Sequence, residues 1–405
     1  MVHLPRLYEP LIAERLQKDR QMLFLSGPRQ VGKSTSAQRV GAQFPPVRYL
    51  SWDEERSRKW ILAGQQALAA ELGLDSLEAS RPLCVFDEMH KYAEWKNFLK
   101  GFFDRYQDRV RILVTGSARL DVYRRGGDSL MGRYFPYRMH PLSLGELAHP
   151  HMPLEWFHSP KDLGRSTLDK LLEHGGFPEP FTIADPAFTR RWRNTRADLL
   201  FREDLRDGSN LLDLARVRLL ATLLEARAGQ LSSYSSLAGE VRVASDTIRR
   251  WTEILETFYY CFTIKPWHKN LARALRKEPK FYLWDWSGIQ EPGARFENLV
   301  ASALLKTVHA WTDLGKGSLE LFFIRDKEKR EVDFLLVRDG SPWILVEAKT
   351  SASQGLSKAL MHYHKILDTE HAFQVVQDLP YVDADSFGHH DPIRVPALTW
   401  LSQLI

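Results

Sequence analysis

Cysteine is scarce in this sequence, and long apolar runs are missing. The 405 residues include only Cys84 and Cys261, which excludes a disulfide framework and a thiolate zinc site. No apolar run approaches the roughly 20 residues that a membrane-spanning helix requires. The amino terminus, MVHLPRLYEP, lacks the basic and then apolar pattern of a secretion signal. These absences predict a soluble, cytoplasmic protein with no membrane partner.

The composition is typical of a multidomain globular protein. Hydrophobic residues make up 44% of the chain and charged residues 26%, which is enough apolar material for several cores. The length predicts about two to four domains. The formal net charge of +5 favours an acidic partner such as nucleic acid, although charge alone does not identify one.

A glycine-rich stretch near the amino terminus, GPRQVGKST, matches the phosphate-binding loop G-x-x-x-x-G-K-[ST]. An apolar run precedes it and a helix-compatible segment follows it, which is the setting that the motif requires. Backbone N–H groups and the helix start would bind phosphate. Lys33 would reach the β- and γ-phosphates, and the Ser34 hydroxyl would ligate Mg²⁺. The predicted ATP-binding residues are Gly27, Pro28, Arg29, Gln30, Val31, Gly32, Lys33, Ser34 and Thr35. The alternative is a glycine-containing turn with a chance lysine.

Two carboxylates end the next strongly apolar strand, at Asp87 and Glu88. Asp87 would hold Mg²⁺ through water, and Glu88 would orient or deprotonate the attacking water. A further predicted strand ends in small polar residues, where Ser117 (or Thr115) is the candidate sensor of the γ-phosphate. An ordinary strand-end turn is the alternative there. Strands alternating with helices predict a parallel sheet whose site lies at the carboxyl ends of its strands.

Residues 119–138 are rich in arginine. An arginine supplied to the nucleotide of a neighbouring subunit would stabilise charge in the transition state. Arg133 is the preferred candidate, and a solvated basic loop is the alternative. An arginine acting in this way requires a homo-oligomer, of which a hexameric ring is one form.

The ordered set of motifs resembles a prokaryotic AAA-type (P-loop) ATPase family with a carboxyl-terminal domain of formerly unknown function. The motifs are GPRQVGKST, VFDEMHK, TGSARL, MGRYFPYRMHPLSLGEL and HGGFPEP, and they span a large part of the chain. The resemblance implies an AAA+-type ATPase core followed by a small helical lid.

A helix-turn-helix pattern follows between residues 232 and 258. Apolar residues repeat at helical spacing in its second helix, which leaves Arg249 and Arg250 pointing outward. An apolar run after it would form the strand of a wing. Winged helices bind DNA in many proteins through such arginines. In multidomain ATPases the same module is often only a packing unit, and the sequence leaves both readings open.

The last third of the chain contains a second set of charged residues. Asp333, Glu347 and Lys349 follow the pattern D-x13-E-x-K on adjacent predicted strands, with Glu297 on a preceding helix. The pattern resembles the PD-(D/E)xK nuclease superfamily. Glu347 and Lys349 would share one face of a strand, and Asp333 and Glu347 would share a second Mg²⁺ or a Mn²⁺ ion. Lys349 would position the attacking water. Cleavage of DNA and mere binding of DNA or metal are both open.

The predicted fold is an α/β chain of four parts. They are a P-loop ATPase core with a parallel sheet (1–165), a helical lid (166–207), a winged helix (208–268) and a nuclease-like α/β domain (269–405). The predicted function is an ATP-hydrolysing motor or remodelling enzyme that binds DNA, with branched DNA suggested by fold analogy only. The alternatives are a nucleotide-controlled signalling switch with a non-catalytic carboxyl-terminal module, and an ATP-regulated, Mg²⁺-dependent DNA nuclease.

Overall fold

A computed structural model describes residues 4–75, 81–116, 130–204, 213–268, 278–353 and 355–405. Its contacts separate two units. The amino-terminal unit consists of His3–His140 and Pro150–Met152, and the carboxyl-terminal unit includes Pro141–His149 and Pro153–Ile405. Ser117, the candidate sensor, lies outside the described residues.

A five-stranded parallel sheet forms the centre of the amino-terminal unit. Its strands are β1 (Met22–Ser26), β2 (Val47–Ser51), β3 (Leu83–Asp87), β4 (Arg111–Gly116) and β5 (Tyr134–Arg138), in the order β2-β3-β4-β1-β5. β1 and β3 are buried at every residue, as expected for strands that are covered on both faces. The predicted parallel α/β architecture of this unit is confirmed.

Helices cover this sheet. They are α1 (Tyr8–Lys18), α2 (Lys33–Gly41), α3 (Glu55–Leu62), α4 (Gln65–Glu71) and α5 (Trp95–Tyr106), with a 3₁₀ turn at Met89–Lys91. The sequence favours one helical stretch after β2, but Gly64, at φ 97°, separates α3 from α4. On α5, Phe98 and Phe102 pack edge-on against Phe86 of β3, so aromatic side chains form much of this core.

The strand order determines where polar residues meet. β1, β4 and β3 are neighbours and run in the same direction, so their carboxyl ends lie at one edge of the sheet. That edge holds the glycine loop after Ser26, Asp87 at the end of β3 and Thr115 on β4. Ligands of open parallel sheets bind at such an edge.

The carboxyl-terminal unit begins with helices. They are α6 (Leu144–Ala148), α7 (Arg165–His174), α8 (Pro178–Ile183), α9 (Pro186–Leu199), a π-helical turn (Leu200–Asp204), α10 (Leu214–Ala226), α11 (Tyr234–Val241) and α12 (Ser245–Thr257). α12 buries Ile248, Trp251 and Leu255 and leaves Arg249 and Arg250 exposed, as its periodicity predicts. Among the described residues, no helix combines the length and apolar character that crossing a bilayer needs.

A seven-stranded mixed sheet follows, in the order β12-β11-β10-β9-β8-β6-β7. Its strands are β6 (Cys261–Pro266), β7 (Lys280–Leu283), β8 (Leu319–Arg325), β9 (Glu331–Arg338), β10 (Ser341–Lys349), β11 (His371–Val376) and β12 (Ile393–Pro396). The remaining helices are α13 (Pro292–Asp313), α14 (Lys358–Leu367) and α15 (Ala397–Ser402), with 3₁₀ turns at Trp286–Gly288 and Ser386–Gly388. β6 pairs with both β7 and β8, so this sheet extends across residue 268, where the sequence predicts a domain boundary.

A buried ion pair joins α13 to α6 within the carboxyl-terminal unit. The Lys306 ammonium donates to the Glu146 carboxylate, and it also lies 3.1 Å from the Pro141 carbonyl oxygen and 3.0 Å from Ser143 Oγ. Lys306 is 1% exposed and Glu146 0%. Every polar group around this ammonium therefore has to be satisfied from within the protein.

Candidate functional site

The glycine loop between β1 and α2 has the backbone that its sequence predicts. Gly27 adopts φ 152° and Gly32 adopts φ 106°, conformations that side chains disfavour. A Cβ atom on Gly27 would lie 2.4 Å from the carbonyl oxygen of Met139, so no larger residue fits there. The loop ends at Lys33, the first residue of α2. The first N–H groups of a helix have no intrahelical acceptor and can bind an anion.

Lys33 lies against its own loop. The side chain is buried, and Nζ donates to the carbonyl oxygens of Gly27, at 2.9 Å, and Pro28, at 2.7 Å. These carbonyls hold the ammonium beside the start of α2, where a phosphate would bind. The position fits the predicted contact with the β- and γ-phosphates.

The Asp87 carboxylate accepts hydrogen bonds from three hydroxyl groups. Ser34 Oγ lies 2.9 Å from Asp87 Oδ2, and the hydroxyls of Tyr49 and Thr115 donate to the same carboxylate. A serine hydroxyl beside a carboxylate is a donor set that fits Mg²⁺, which prefers oxygen ligands. Ser34 is exposed, whereas Asp87 is only 7% exposed. The structure thus brings together the two predicted magnesium ligands.

Tyr49 is absent from the sequence-based prediction. Burial and the hydrogen bond to Asp87 raise the pKa of Tyr49, so its hydroxyl stays protonated and acts as a donor. Thr115, the second candidate sensor, also donates to Asp87. This hydrogen bond orients the carboxylate, and the role of Thr115 as a phosphate sensor stays a prediction. No motif marks Tyr49, because its role depends on the pairing of β2 with β3.

Glu88 follows β3 with the positive backbone angle φ 54°. Burial raises the pKa of its carboxyl group, although Lys33 and Lys91 act in the opposite direction. Its Oε2 lies 3.6 Å from both His90 Nε2 and Lys91 Nζ. A carboxylate with a raised pKa is a better proton acceptor. These properties fit the predicted role of general base.

Arg6 supports the loop from a segment that carries no recognisable motif. Its guanidinium is buried and donates to the carbonyl oxygens of Val31, at 2.5 Å, and His140, at 2.7 Å. It therefore ties the glycine loop to the chain that leaves β5. Sequence analysis gives no signal for this contact.

Arg133, the candidate for action on a neighbouring subunit, forms an ion pair within its own unit. Its Nε lies 2.6 Å from Asp104 Oδ1 and its Nη2 lies 3.0 Å from Asp104 Oδ2. The pair is partly exposed. To contact the nucleotide of a neighbouring subunit, Arg133 would have to break its ion pair with Asp104. Its role there stays a prediction.

The charged residues of the last third come together on β9 and β10. These strands pair so that Phe334 faces Val346, which places Asp333 beside Glu347. The backbone N–H of Ala348 donates to Asp333 Oδ2 at 3.0 Å. Lys349 Nζ lies 2.8 Å from Glu347 Oε1. The two strands thus produce the arrangement that the D-x13-E-x-K spacing predicts.

Glu297 on α13 faces the same group of residues. It accepts a hydrogen bond from Tyr282 at 2.7 Å and lies 3.3 Å from Lys280 Nζ. Burial, and then the Asp333 carboxylate, raise the pKa of Glu297 to about 7. Glu297, Glu331, Asp333 and Glu347 form what we call the carboxylate cluster.

Lys280 on β7 lies inside the carboxylate cluster and is missing from the sequence-based prediction. Its Nζ lies 2.8 Å from Glu331 Oε1, 3.3 Å from Glu297 Oε1 and 3.6 Å from Asp333 Oδ1. A divalent ion bound by Glu297 and Asp333 would need the position that this ammonium takes. The residues present therefore do not fit the predicted Mg²⁺ or Mn²⁺ ion at that point of the cluster.

The helix pair α11 and α12 presents the arginines proposed to contact DNA. Arg249 and Arg250 are exposed, and the Arg249 guanidinium lies 5.4 Å from the ring centre of Tyr234. Stacking on an aromatic ring restricts this side chain while keeping its charge at the surface.

Comparison with known proteins adds family matches to this geometry. The model of an AAA domain matches residues 19–148, a domain of unknown function (DUF8612) matches 165–289, and another (DUF4143) matches 292–384. An uncharacterized protein of Mycobacterium tuberculosis is 24% identical over 346 residues, covering 84% of this chain and 72% of that protein.

Two solved structures show weak similarity. AMPPCP-bound DnaA from Aquifex aeolicus aligns with 15% identity over 63% of this chain and 89% of its own, with a TM-score of 0.31. PCH-2 of C. elegans aligns with 16% identity over 40% of this chain and 45% of its own, less than half its length, with a TM-score of 0.26. These scores are too low to assign a function. The chain therefore contains an AAA domain of the P-loop ATPase type at residues 19–148 and a DUF4143 domain at residues 292–384, which is consistent with the prokaryotic AAA-type ATPase family that its motifs resemble.

Proposed function

We propose that this protein hydrolyses ATP at the glycine loop and uses the resulting conformational change to act on DNA. The observation that carries the proposal is the meeting of Lys33, Ser34 and Asp87 at one edge of the parallel sheet. Phosphate-binding backbone, a lysine and a pair of magnesium ligands are the parts that ATP hydrolysis requires.

Each residue has a defined role in this mechanism. Mg²⁺, when bound with the nucleotide, neutralises charge on the β- and γ-phosphates. The loop backbone and Lys33 would hold the phosphates, and Ser34 and Asp87 would hold the ion. Tyr49 fixes the orientation of the Asp87 carboxylate through its hydrogen bond. Glu88 accepts a proton from the attacking water.

Replacing Glu88 with glutamine is expected to slow hydrolysis by about 100-fold or more, because the amide cannot accept the proton. Binding of ATP is expected to persist, since Lys33 and Ser34 are unchanged. Phosphate release measures the first effect, and the rise in melting temperature with ATP measures the second. Glu55→Gln, on an exposed helix surface, is the matched control and should leave both unchanged. Hydrolysis by Glu88→Gln at the wild-type rate would exclude Glu88 as the base.

Two features of the carboxyl-terminal unit, and the net charge of the whole chain, support a DNA partner. Arg249 and Arg250 project from the second helix of a helix-turn-helix arrangement, as in DNA-binding winged helices. Lys349 lies beside the carboxylates of a domain that resembles nucleases. The net charge of the chain is +5, which favours approach to a polyanion. Branched DNA is proposed by analogy with resolvases alone.

The proposal includes a homo-oligomer. An arginine supplied to the nucleotide of a neighbouring copy requires one, and Arg133 is the candidate. Its ion pair with Asp104 is partly exposed, so the guanidinium can reach another chain without the cost of uncovering a buried charge.

The test is the rate of ATP hydrolysis with single-stranded, duplex and four-way DNA. Stimulation by at least one of them is expected. The double variant Arg249→Ala, Arg250→Ala is expected to bind DNA more weakly and to lower the slope of log affinity against log salt by about 2. Arg190→Ala with Arg191→Ala removes the same charge from exposed positions of α9 and is the matched control.

Absence of binding and of stimulation at low salt would refute the proposed action on DNA. That result would favour the signalling switch, in which nucleotide state controls a non-catalytic carboxyl-terminal module. Metal-dependent cleavage of DNA by the carboxylate cluster is the other function that the sequence raises. We place it second, because Lys280 lies among the carboxylates that would bind the metal ion. Nicking of a supercoiled plasmid in Mg²⁺ or Mn²⁺, lost in Asp333→Ala, would reverse that order.

A further inference from the structure

The charges of the carboxylate cluster are almost balanced by cations of the chain. Glu297, Glu331, Asp333 and Glu347 supply the carboxylates. The cations are Lys280 within the cluster, Lys349 against Glu347, and Arg325, whose Nη1 lies 2.5 Å from Glu331 Oε2. Little uncompensated charge is left to attract a divalent ion.

Lys280 is held firmly in this position. It is 3% exposed, so its ammonium is removed from water and has to be stabilised by the protein. Its Nζ lies within 3.6 Å of carboxylate oxygens of Glu331, Glu297 and Asp333, which stabilise the charged form. The ammonium therefore remains charged. It also lies 5.6 Å from the ring centre of Phe323, a cation–π contact that further stabilises its charge.

The same atoms would bind a metal ion if Lys280 were shorter or neutral. Glu297 Oε1 and Asp333 Oδ1 both face the ammonium. Glu347 is 6% exposed, and its Oε2 has no hydrogen-bond partner among the described residues. A buried carboxylate oxygen without a partner is costly. Carboxylate oxygens are the ligands that Mg²⁺ and Mn²⁺ prefer in proteins.

We infer that Lys280 is a resident cation that takes the place of a divalent metal ion in the carboxylate cluster, and that its removal creates a site for such an ion. The wild-type cluster is then a metal-independent structural element of the DUF4143 domain. This inference goes beyond the proposed function, since it depends on neither ATP nor DNA.

The test is titration of the nucleotide-free, full-length protein with Mn²⁺, followed by electron paramagnetic resonance. In the wild-type background, Asp333→Asn is expected to leave Mn²⁺ binding unchanged, because no Mn²⁺ ion binds at the carboxylate cluster. Lys280→Met is expected to bind one additional Mn²⁺ ion per chain, at least tenfold more tightly than wild type, and to lose it in the double variant with Asp333→Asn. Lys265→Met, at an exposed position of the adjacent strand β6, is the matched control and should behave as wild type. Lys280→Arg keeps the cation and should gain no site.

Removing Lys280 leaves carboxylates unpaired, so folding has to be followed as well. Mn²⁺ is expected to raise the melting temperature of Lys280→Met by several degrees and to leave that of wild type unchanged, because only the variant binds the ion in its folded state. Lys280→Met with Glu297→Gln preserves the charge balance and retains Asp333 and Glu347 as ligands. Mn²⁺ binding to wild type that depends on Asp333 would overturn the inference. A folded Lys280→Met, Glu297→Gln variant that binds no Mn²⁺ would do the same.

Discussion

Replacing Lys33 with alanine is expected to reduce ATP hydrolysis by at least about 100-fold, the loss typical of one preorganised charge contact in a transition state. In the structure its ammonium is held at the start of α2 by the carbonyls of Gly27 and Pro28. A bound nucleotide would receive this charge on its β- and γ-phosphates. Alanine has no charge, and its side chain is too short to contact the phosphates. ATP should also no longer raise the melting temperature, since binding itself is weakened.

Phosphate release under saturating ATP and Mg²⁺ is the measurement. Lys59→Ala removes an exposed lysine that pairs with Glu55 on the same helix, so its rate should match wild type. Lys33 is buried, so circular dichroism is needed to show that the variant is folded. A folded Lys33→Ala protein that retains more than a tenth of the wild-type rate would contradict the assignment of the glycine loop.

Replacing Lys306 with methionine is expected to lower the free energy of unfolding of the carboxyl-terminal unit by about 3–5 kcal/mol. The cause is the Glu146 carboxylate, which stays buried after its partner is gone. The Pro141 carbonyl and the Ser143 hydroxyl lose a donor at the same time. Urea-induced unfolding, followed by tryptophan fluorescence, measures the change.

The double variant Lys306→Met, Glu146→Leu separates two explanations. If an unpaired buried charge causes the loss, removing the carboxylate as well should recover most of it, because buried ion pairs can often be replaced by apolar residues. Lys327→Met, at an exposed position after β8, is the matched control. A double variant as unstable as Lys306→Met would show that packing, rather than charge, is responsible.

Local patterns along the chain predict much of the sheet edge that holds the glycine loop. The strands around Lys33 and Asp87 are apolar runs that stop at polar residues, and both features can be read from a short window. The pairing of β9 with β10 can also be predicted from the sequence, because the D-x13-E-x-K spacing matches a hairpin. Asp87, Asp333 and Glu347 have partners on the neighbouring strand of the same sheet, so the fold class already indicates where those partners lie.

Other contacts are invisible to such patterns because they join distant segments through single side chains. Arg6 reaches a carbonyl 25 residues away, and Tyr49 reaches a carboxylate 38 residues away. Lys280 belongs to an ordinary short strand, and its position among carboxylates depends on β7 pairing with β6 at the edge of a mixed sheet. Tertiary packing, and not local sequence, decides these contacts.

The segment Pro141–His149 determines where the ATPase domain can be cut when it is transferred to another protein. The AAA family match runs to residue 148, but the segment is grouped by its contacts with the carboxyl-terminal unit. A Cβ on Gly145 would lie 2.3 Å from the carbonyl oxygen of Leu404, and Leu142 N–H donates to the Gly176 carbonyl at 2.7 Å. A recombination joint placed at residue 148 would therefore separate two surfaces that have adapted to each other. A joint at residue 140 would keep them together, so an ATPase core transferred to another protein should end before α6.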